Sequence, residues 1–414
     1  MAALSDVIND YCFFDFETRL LPGISGDITT LGTYKYARLA RPIILTYAIG
    51  DGPVQCIDIG WAAGKTEEEM DATMERWLME PGEQRFRAMV PDELDKMLCR
   101  ALRGEAWFCA WNCAFDRTVW NNSFYYSWLD RLTPEMTLDA MAQAAASNLP
   151  SSLQAASRAL GGSGKQHDGK DLIRLFSPHD GATPGSHPAE WERFKSYAAK
   201  DVEVLREVFF QTRALPRQEW EDYWVSERIN ERGVAVDVPF CRAAYRVARA
   251  NTEYANQQLA ELTGRPMRVT TVQQIADWVY DRLDDNEARS MLEADIDVAD
   301  DDEEEESSAL SLTRARIGRL VTFLKAKAER TEAERTIIAV LELREYGGAA
   351  SPLKFHKMAE QADGGRLKGS YVFNGAPQTG RFSSRGVQIH NLPRASLGDV
   401  EEQAIIDIMD LGEQ

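Results

Sequence analysis

The sequence is short of several things, and each shortage removes a class of protein. No stretch approaches 18 consecutive apolar residues, which excludes an α-helical membrane span, so no membrane partner is expected. The opening MAALSDVINDYCFFDFE has no basic flank followed by an apolar core, so no secretory signal peptide is read there. The six cysteines (12, 56, 99, 109, 113 and 241) contain no CxxC pair and no regular framework. Cys109 and Cys113 are four apart, but no second Cys or His pair completes a zinc set. Reduced, buried thiols in a cytosol are the expectation. Basic residues are in deficit as well: 47 Lys and Arg stand against 66 Asp and Glu, a net charge of −19. Taken as a sum, that disfavours a polyanionic partner.

The charge that is present is segregated. EADIDVADDDEEEE, Glu293–Glu306, carries ten acidic residues and no basic one, and without it the net charge is −9. This run, bounded at 293–308, reads as a disordered, solvated loop of mutually repelling charges. From Ser351 to Arg394 there are seven Lys and Arg against two acids, so that region is locally +5. The global charge therefore does not exclude nucleic acid. With 414 residues, 44% of them hydrophobic, two or three domains with large cores are expected.

Residues 11–59 read as strands: YCFFDFET, IILTYAIGD and VQCIDIG are β-branched or aromatic runs broken by Gly, Asp and Pro. Helical periodicity over 91–103 precedes another strand-like run, AWFCAWN, at 106–112. Helical patterns then dominate to about Thr212, with loops at Gly161–Gly164 and Ser177–His187. The pattern predicts an α/β domain over 1–214. Past Leu215-Pro216 the texture becomes mainly α-helical. A helix is expected to stop at Gly233, an extended connector to run through VAVDVPF, and long helices to follow from Phe240. The residues 311–348 predict a pair of amphipathic helices, and the tail after Val400 one more helix.

Three short pieces carry chemistry. FFDFET places Asp15 and Glu17 two apart on a strand, so both carboxylates share one face, where they need a counter-ion. WNCAFD opens a helix after an apolar run, with Asn112 as a candidate cap and Asp116 in the first turn. YAAKD places Tyr197 and Asp201 four apart on one helix face. Singly, each has a dull explanation: a helix-terminus acid, an amphipathic core tyrosine, a chance DxE.

In this order, DxE, NxxFD and YxxxD together resemble the DEDDy proofreading exonucleases, which share the RNase H-like fold. The resemblance implies Asp15, Glu17, Asp116 and Asp201 as four metal-binding acids and Tyr197 as the catalytic tyrosine. It implies two divalent cations, Mg²⁺ or Mn²⁺. Asp15 would bridge them, Glu17 and Asp201 would hold the one beside the attacking water, and Asp116 would serve the other. Tyr197 would orient that water, and Asn112 would lie near the substrate strand. The 94 residues between Glu17 and Asn112 are long for the family, and 66–89 reads as a helical insertion.

The second half, 215–414, resembles the start of family A DNA polymerases of the phage type. SERINERGVAVD resembles the join between proofreading and polymerase regions, LELREYGGAASPLKFHKM the end of the thumb, and QTGRFSSRGVQIHNLPR the first polymerase motif. From that motif Thr379, Arg381, Ser383, Ser384 and Asn391 are candidate DNA contacts, with Arg381 implied to read the primer-terminal pair. The DxSxxE, RxxxKxxxYG and HDE motifs of the palm and fingers occur nowhere in the 414 residues. The expectation is a 3′–5′ exonuclease acting on single-stranded 3′ ends and gripping primer–template duplex, with palm and fingers supplied by a second polypeptide or belonging to a segment missing from these residues, in the cytoplasm of a phage-infected host. A stand-alone DEDDy exonuclease on RNA or DNA is one alternative, and a non-catalytic DNA-binding scaffold another.

Overall fold

A computed structural model describes residues 8–60, 91–122, 131–162, 169–293, 310–348, 353–376, 378–392 and 401–413. The expected helical insertion at 66–89, and the acidic run beyond Glu293, lie outside these residues. The chain divides into two compact units, 1–236 with 360–394, and 237–359 with 395–414.

The first unit is built on five strands: β1 (Tyr11–Leu20), β2 (Ala40–Ile49), β3 (Gln55–Asp58), β4 (Trp107–Ala110) and β5 (Thr137–Asp139). Their order is β3-β2-β1-β4-β5. β1 runs antiparallel to β2 and parallel to β4, and β4 is parallel to β5. The central strand β1 is sealed on both faces, which is why it reads as a near-continuous apolar run. Phe14 and Phe16 pack with Phe108 and Trp120 on one side. Phe13 packs with Val202, Leu205 and Phe209 on the other.

Helices cover the sheet: α1 (Thr33–Arg38), α2 (Asp92–Leu102), α3 (Ala114–Asn122), α4 (Ala140–Ala146), α5 (Leu153–Ala159), α6 (Gly169–Phe176), α7 (Pro188–Gln211) and α8 (Arg217–Arg232). The 24-residue α7 starts at a proline, where the missing N–H costs nothing. Its buried residues (Phe194, Tyr197, Ala198, Asp201, Val202, Leu205) recur at helical spacing.

The boundary expected at 214/215 is not where the compact unit ends. Leu215-Pro216 marks only the start of α8, which belongs to the first unit. The buried Arg117 pairs with Glu227 and Glu231 of α8, and Trp224 Nε1 donates to the Thr137 carbonyl. The chain then leaves this unit and returns. β6 (Val234–Ala235) pairs antiparallel with β7 (Arg366–Leu367), and β8 (Tyr371–Ala376) forms a hairpin with β9 (Arg381–Ser384). Gly380, at the turn into β9, has φ 63°, a backbone that glycine adopts without strain.

The second unit is helical: α9 (Val238–Thr263), α10 (Val272–Tyr280), α11 (Arg314–Ala326), α12 (Glu332–Gly347) and α13 (Glu401–Glu413). Leu259, Val269, Ile275, Val279, Leu320, Leu324, Ile337 and Leu341 share one core. VAVDVPF forms a strand at its first two residues and is already helical from Val238. Asp237 caps α9 by accepting from the Phe240 N–H, and Pro239 lies in the first turn. Among the described residues no helix is long and apolar enough to cross a membrane.

Candidate active site

Alternation along β1 turns Asp15 and Glu17 the same way, and a register irregularity falls between Glu17 and Thr18. Bulges of this kind re-aim side chains near functional sites. Thr46, opposite Asp15 on β2, donates its hydroxyl to the Ala198 carbonyl at 3.1 Å. That bond fixes α7 over the strand between Tyr197 and Asp201. One carboxylate oxygen each from Asp15, Glu17 and Asp201 then lies within 4.8 Å of the others. Glu17 and Asp201 are buried, Asp15 partly so. Three carboxylates so placed repel unless protons or cations intervene.

Tyr197 is buried next to them. Burial first, then the charges of Asp201, Glu17 and Asp15, hold its phenol far above the ordinary value, so it stays a protonated donor near neutrality. Its ring stacks on Phe194, with centroids 6.2 Å apart. Asp116 is fully buried at the start of α3 and is not part of the three-acid cluster. Its Oδ1 accepts the Phe16 N–H at 3.0 Å, between the two acids of β1. Burial, then the Asp15 charge, push its carboxyl well above the usual range, while the Phe16 bond opposes them.

Asn112 does not cap α3 with its side chain. It stands outside the helix at φ 60°, and its backbone carbonyl accepts from Phe115. Its backbone N–H donates to Asp139 Oδ1 at 2.9 Å, and its side-chain oxygen accepts from Arg385. The hairpin residues are placed apart from the acids in sequence but in the same unit. Thr379 and Arg381 are exposed at the turn and on β9, Ser383 and Ser384 are half-buried, and Asn391 is exposed on a short 3₁₀ turn.

Several contributors had no sequence signal. Asp139 ends a strand of three residues and caps α4 through the Met141 N–H. Gly169 sits against the Tyr197 ring. Arg117 is the residue after Asp116; it is fully buried and tied to α8. Only its position beside a candidate acid pointed there.

No family model matches the sequence. Over 396 residues the chain is 27% identical to the DNA polymerase of Bacillus phage SP02, covering 91% of this chain and 51% of that protein. The chain therefore spans about half the length of this curated relative. A solved structure, the POL domain of Pol1 from M. smegmatis in complex with DNA primer-template and dNTP, matches 95% of this chain and 54% of its own at a TM-score of 0.46 and 12% identity. Along nearly its whole length the sequence is similar to a phage DNA polymerase.

Proposed function

We propose that this chain removes nucleotides from the 3′ ends of DNA, as the proofreading portion of a family A DNA polymerase with an RNase H-like, DEDDy-type site. The observation that carries the reading is the cluster of Asp15, Glu17 and Asp201 within 4.8 Å, with Tyr197 one helical turn before Asp201. The sheet, with an antiparallel β1-β2-β3 edge and parallel β4 and β5, fits that fold. Similarity to a phage DNA polymerase favours DNA over RNA as the substrate.

The donor set is all oxygen and largely buried, which suits hard divalent cations such as Mg²⁺ or Mn²⁺. Asp15, Glu17 and Asp201 would hold them, with Asp116 beside Phe16 as the fourth acid. Two such cations would neutralise charge gathering on the scissile phosphate and favour ionisation of a water. The protein's own part is placement. Tyr197 keeps its proton and can hold a water by hydrogen bond. Thr46 keeps α7 in register with β1. Asn112, partly buried, would offer its amide to an incoming strand. The exposed Arg381 and Thr379 are available to a duplex.

The test is a 5′-labelled single-stranded DNA oligonucleotide with Mg²⁺. The chain should produce a ladder shortened from the 3′ end, and Asp15→Ala should produce none. Full activity in a clean Asp15→Ala preparation would sink the assignment, and faster cleavage of the matching RNA would sink the choice of DNA. Because the three palm and fingers motifs are absent from the 414 residues, this chain by itself should not extend a primer with dNTPs, and extension would refute that point. In the phage relative the matched half and the remainder share one polypeptide, which gives no support to the expected second chain.

A further inference from the structure

The segment 360–392 is stitched into the first unit at several points. Asp363 pairs with Arg38, Gln361 Nε2 donates to the Thr29 carbonyl, and Arg366 Nε donates to the Arg232 carbonyl. Asn230 of α8 behaves like a strand edge: its amide donates to the Tyr371 carbonyl at 2.9 Å and accepts from the Tyr371 N–H at 3.0 Å. Tyr223 meets Phe373 edge-on at 5.7 Å. So docked, the hairpin delivers Arg385 into a cleft that Asn112, Asp139, Tyr223, Glu227 and Tyr371 also line.

Arg385 Nη1 donates to Asn112 Oδ1 at 2.7 Å, across 273 residues of sequence. Arginine has donors only, so the atom facing it must be the amide oxygen. The amide is thereby locked in one of its two orientations. Its backbone is locked too, because Asp139 takes the Asn112 N–H at 2.9 Å. With the oxygen engaged by Arg385 and Asn112 lining the cleft, the –NH₂ is the group left to a ligand, and the ligand must supply acceptors. Phosphate oxygens and base carbonyls are such acceptors.

We infer that Arg385 is a positioning residue for single-stranded DNA: it fixes the Asn112 amide as a pure donor toward the 3′ strand, without itself contacting a phosphate. This rests on the proposed exonuclease function. It extends that function to a residue outside the acid set and outside the candidate grip residues.

The experiment measures binding of a fluorescein-labelled single-stranded oligonucleotide by anisotropy, in EDTA, across a salt series. Arg385→Ala should raise Kd about tenfold, the size of one lost charge-assisted contact. Asn112→Ala should do the same, and the double variant should be no worse than either single. The slope of log K against log salt should stay unchanged in Arg385→Ala, since no phosphate contact is lost. A slope shallower by about 0.7 would mean a direct phosphate contact and would overturn the inference. Fully additive losses, unaltered Kd in Arg385→Ala, or no binding by the unaltered protein would overturn it as well. Asn112→Asp gives an independent arm, because it keeps the acceptor for Arg385 and loses both amide donors. It should weaken binding at least tenfold, and tight binding would overturn the inference even if Arg385→Ala misfolds. Hydrolysis of the same oligonucleotide with Mg²⁺ separates the two ideas. If the unaltered chain binds in this pattern but cleaves nothing, the exonuclease reading falls while the Arg385–Asn112 coupling stands.

Discussion

A methyl group at position 169 would stand 2.2 Å from Tyr197 Cε2 and 2.7 Å from Cζ. The ring cannot easily move away, because it is buried and stacked on Phe194. Gly169→Ala should therefore displace the phenol, lower kcat for DNA hydrolysis by at least about tenfold with little change in KM, and cost about 1–3 kcal/mol of stability. Steady-state kinetics with a melting curve checks this, and wild-type kcat would show that the ring's position is immaterial. Asp139 makes a second prediction. Burial and the Glu227 charge push its carboxyl up to about 6, against the N–H bonds from Met141 and Asn112. A carboxyl raised on folding carries no penalty below its unfolded value near 4 and its full penalty above its folded value. Stability should thus fall by about 3 kcal/mol as pH rises from about 4 through about 6, from this group alone. Asp139→Asn should lose that slope in urea unfolding across the same window, and parallel profiles would refute it. The acids of β1 and α7 were legible because charge on an apolar strand and i,i+4 spacing are visible in one dimension. Gly169 and Asp139 were not, since Gly169 acts on Tyr197, 28 residues away, and Asp139 on Asn112, 27 residues away, partners that only folding brings near.

The elements that read well were those whose burial makes a strong pattern. β1, β2 and β4 are apolar runs because both sheet faces are covered, and α7 and α9 carry long helical periodicities. β5 was missed because three residues hold too few alternations to register. The connector after Gly233 was misjudged because capping by Asp237 and a first-turn proline start the helix earlier than apolar periodicity suggests. The joint between strand and helix is the element-level prediction. Thr46→Val keeps the shape of the side chain but removes its donor to the Ala198 carbonyl. It should cost about 1 kcal/mol in denaturant unfolding. It should also slow 3′ hydrolysis, because α7 carries both Tyr197 and Asp201. A variant that loses stability but hydrolyses at the full rate would show that the bond serves packing only.

For the molecule as a whole, cation binding should appear as stability. A ligand that binds only the folded state adds about 2.7 kcal/mol at a hundredfold excess over its Kd. Titrating Mg²⁺ or Mn²⁺ should therefore raise Tm of the intact protein and leave Asp15→Ala nearly unmoved. Equal shifts in both would place the cations elsewhere. The division into units was the least legible feature. A change of composition at Leu215-Pro216 marks where α8 begins, but no local signal announces that 360–394 will come back to the first unit.

That return has a consequence in the order of synthesis. Asp15, Asn112 and Asp201 leave the ribosome well before Arg385, which follows Asp201 by 184 residues. At about 5–20 residues per second, roughly 10–40 s pass between them. For that interval the nascent chain can assemble its acid cluster while the Asn112 amide is still free to flip. The last step in setting the strand-facing donor is then the arrival of one arginine, after the helical excursion has been made and bypassed.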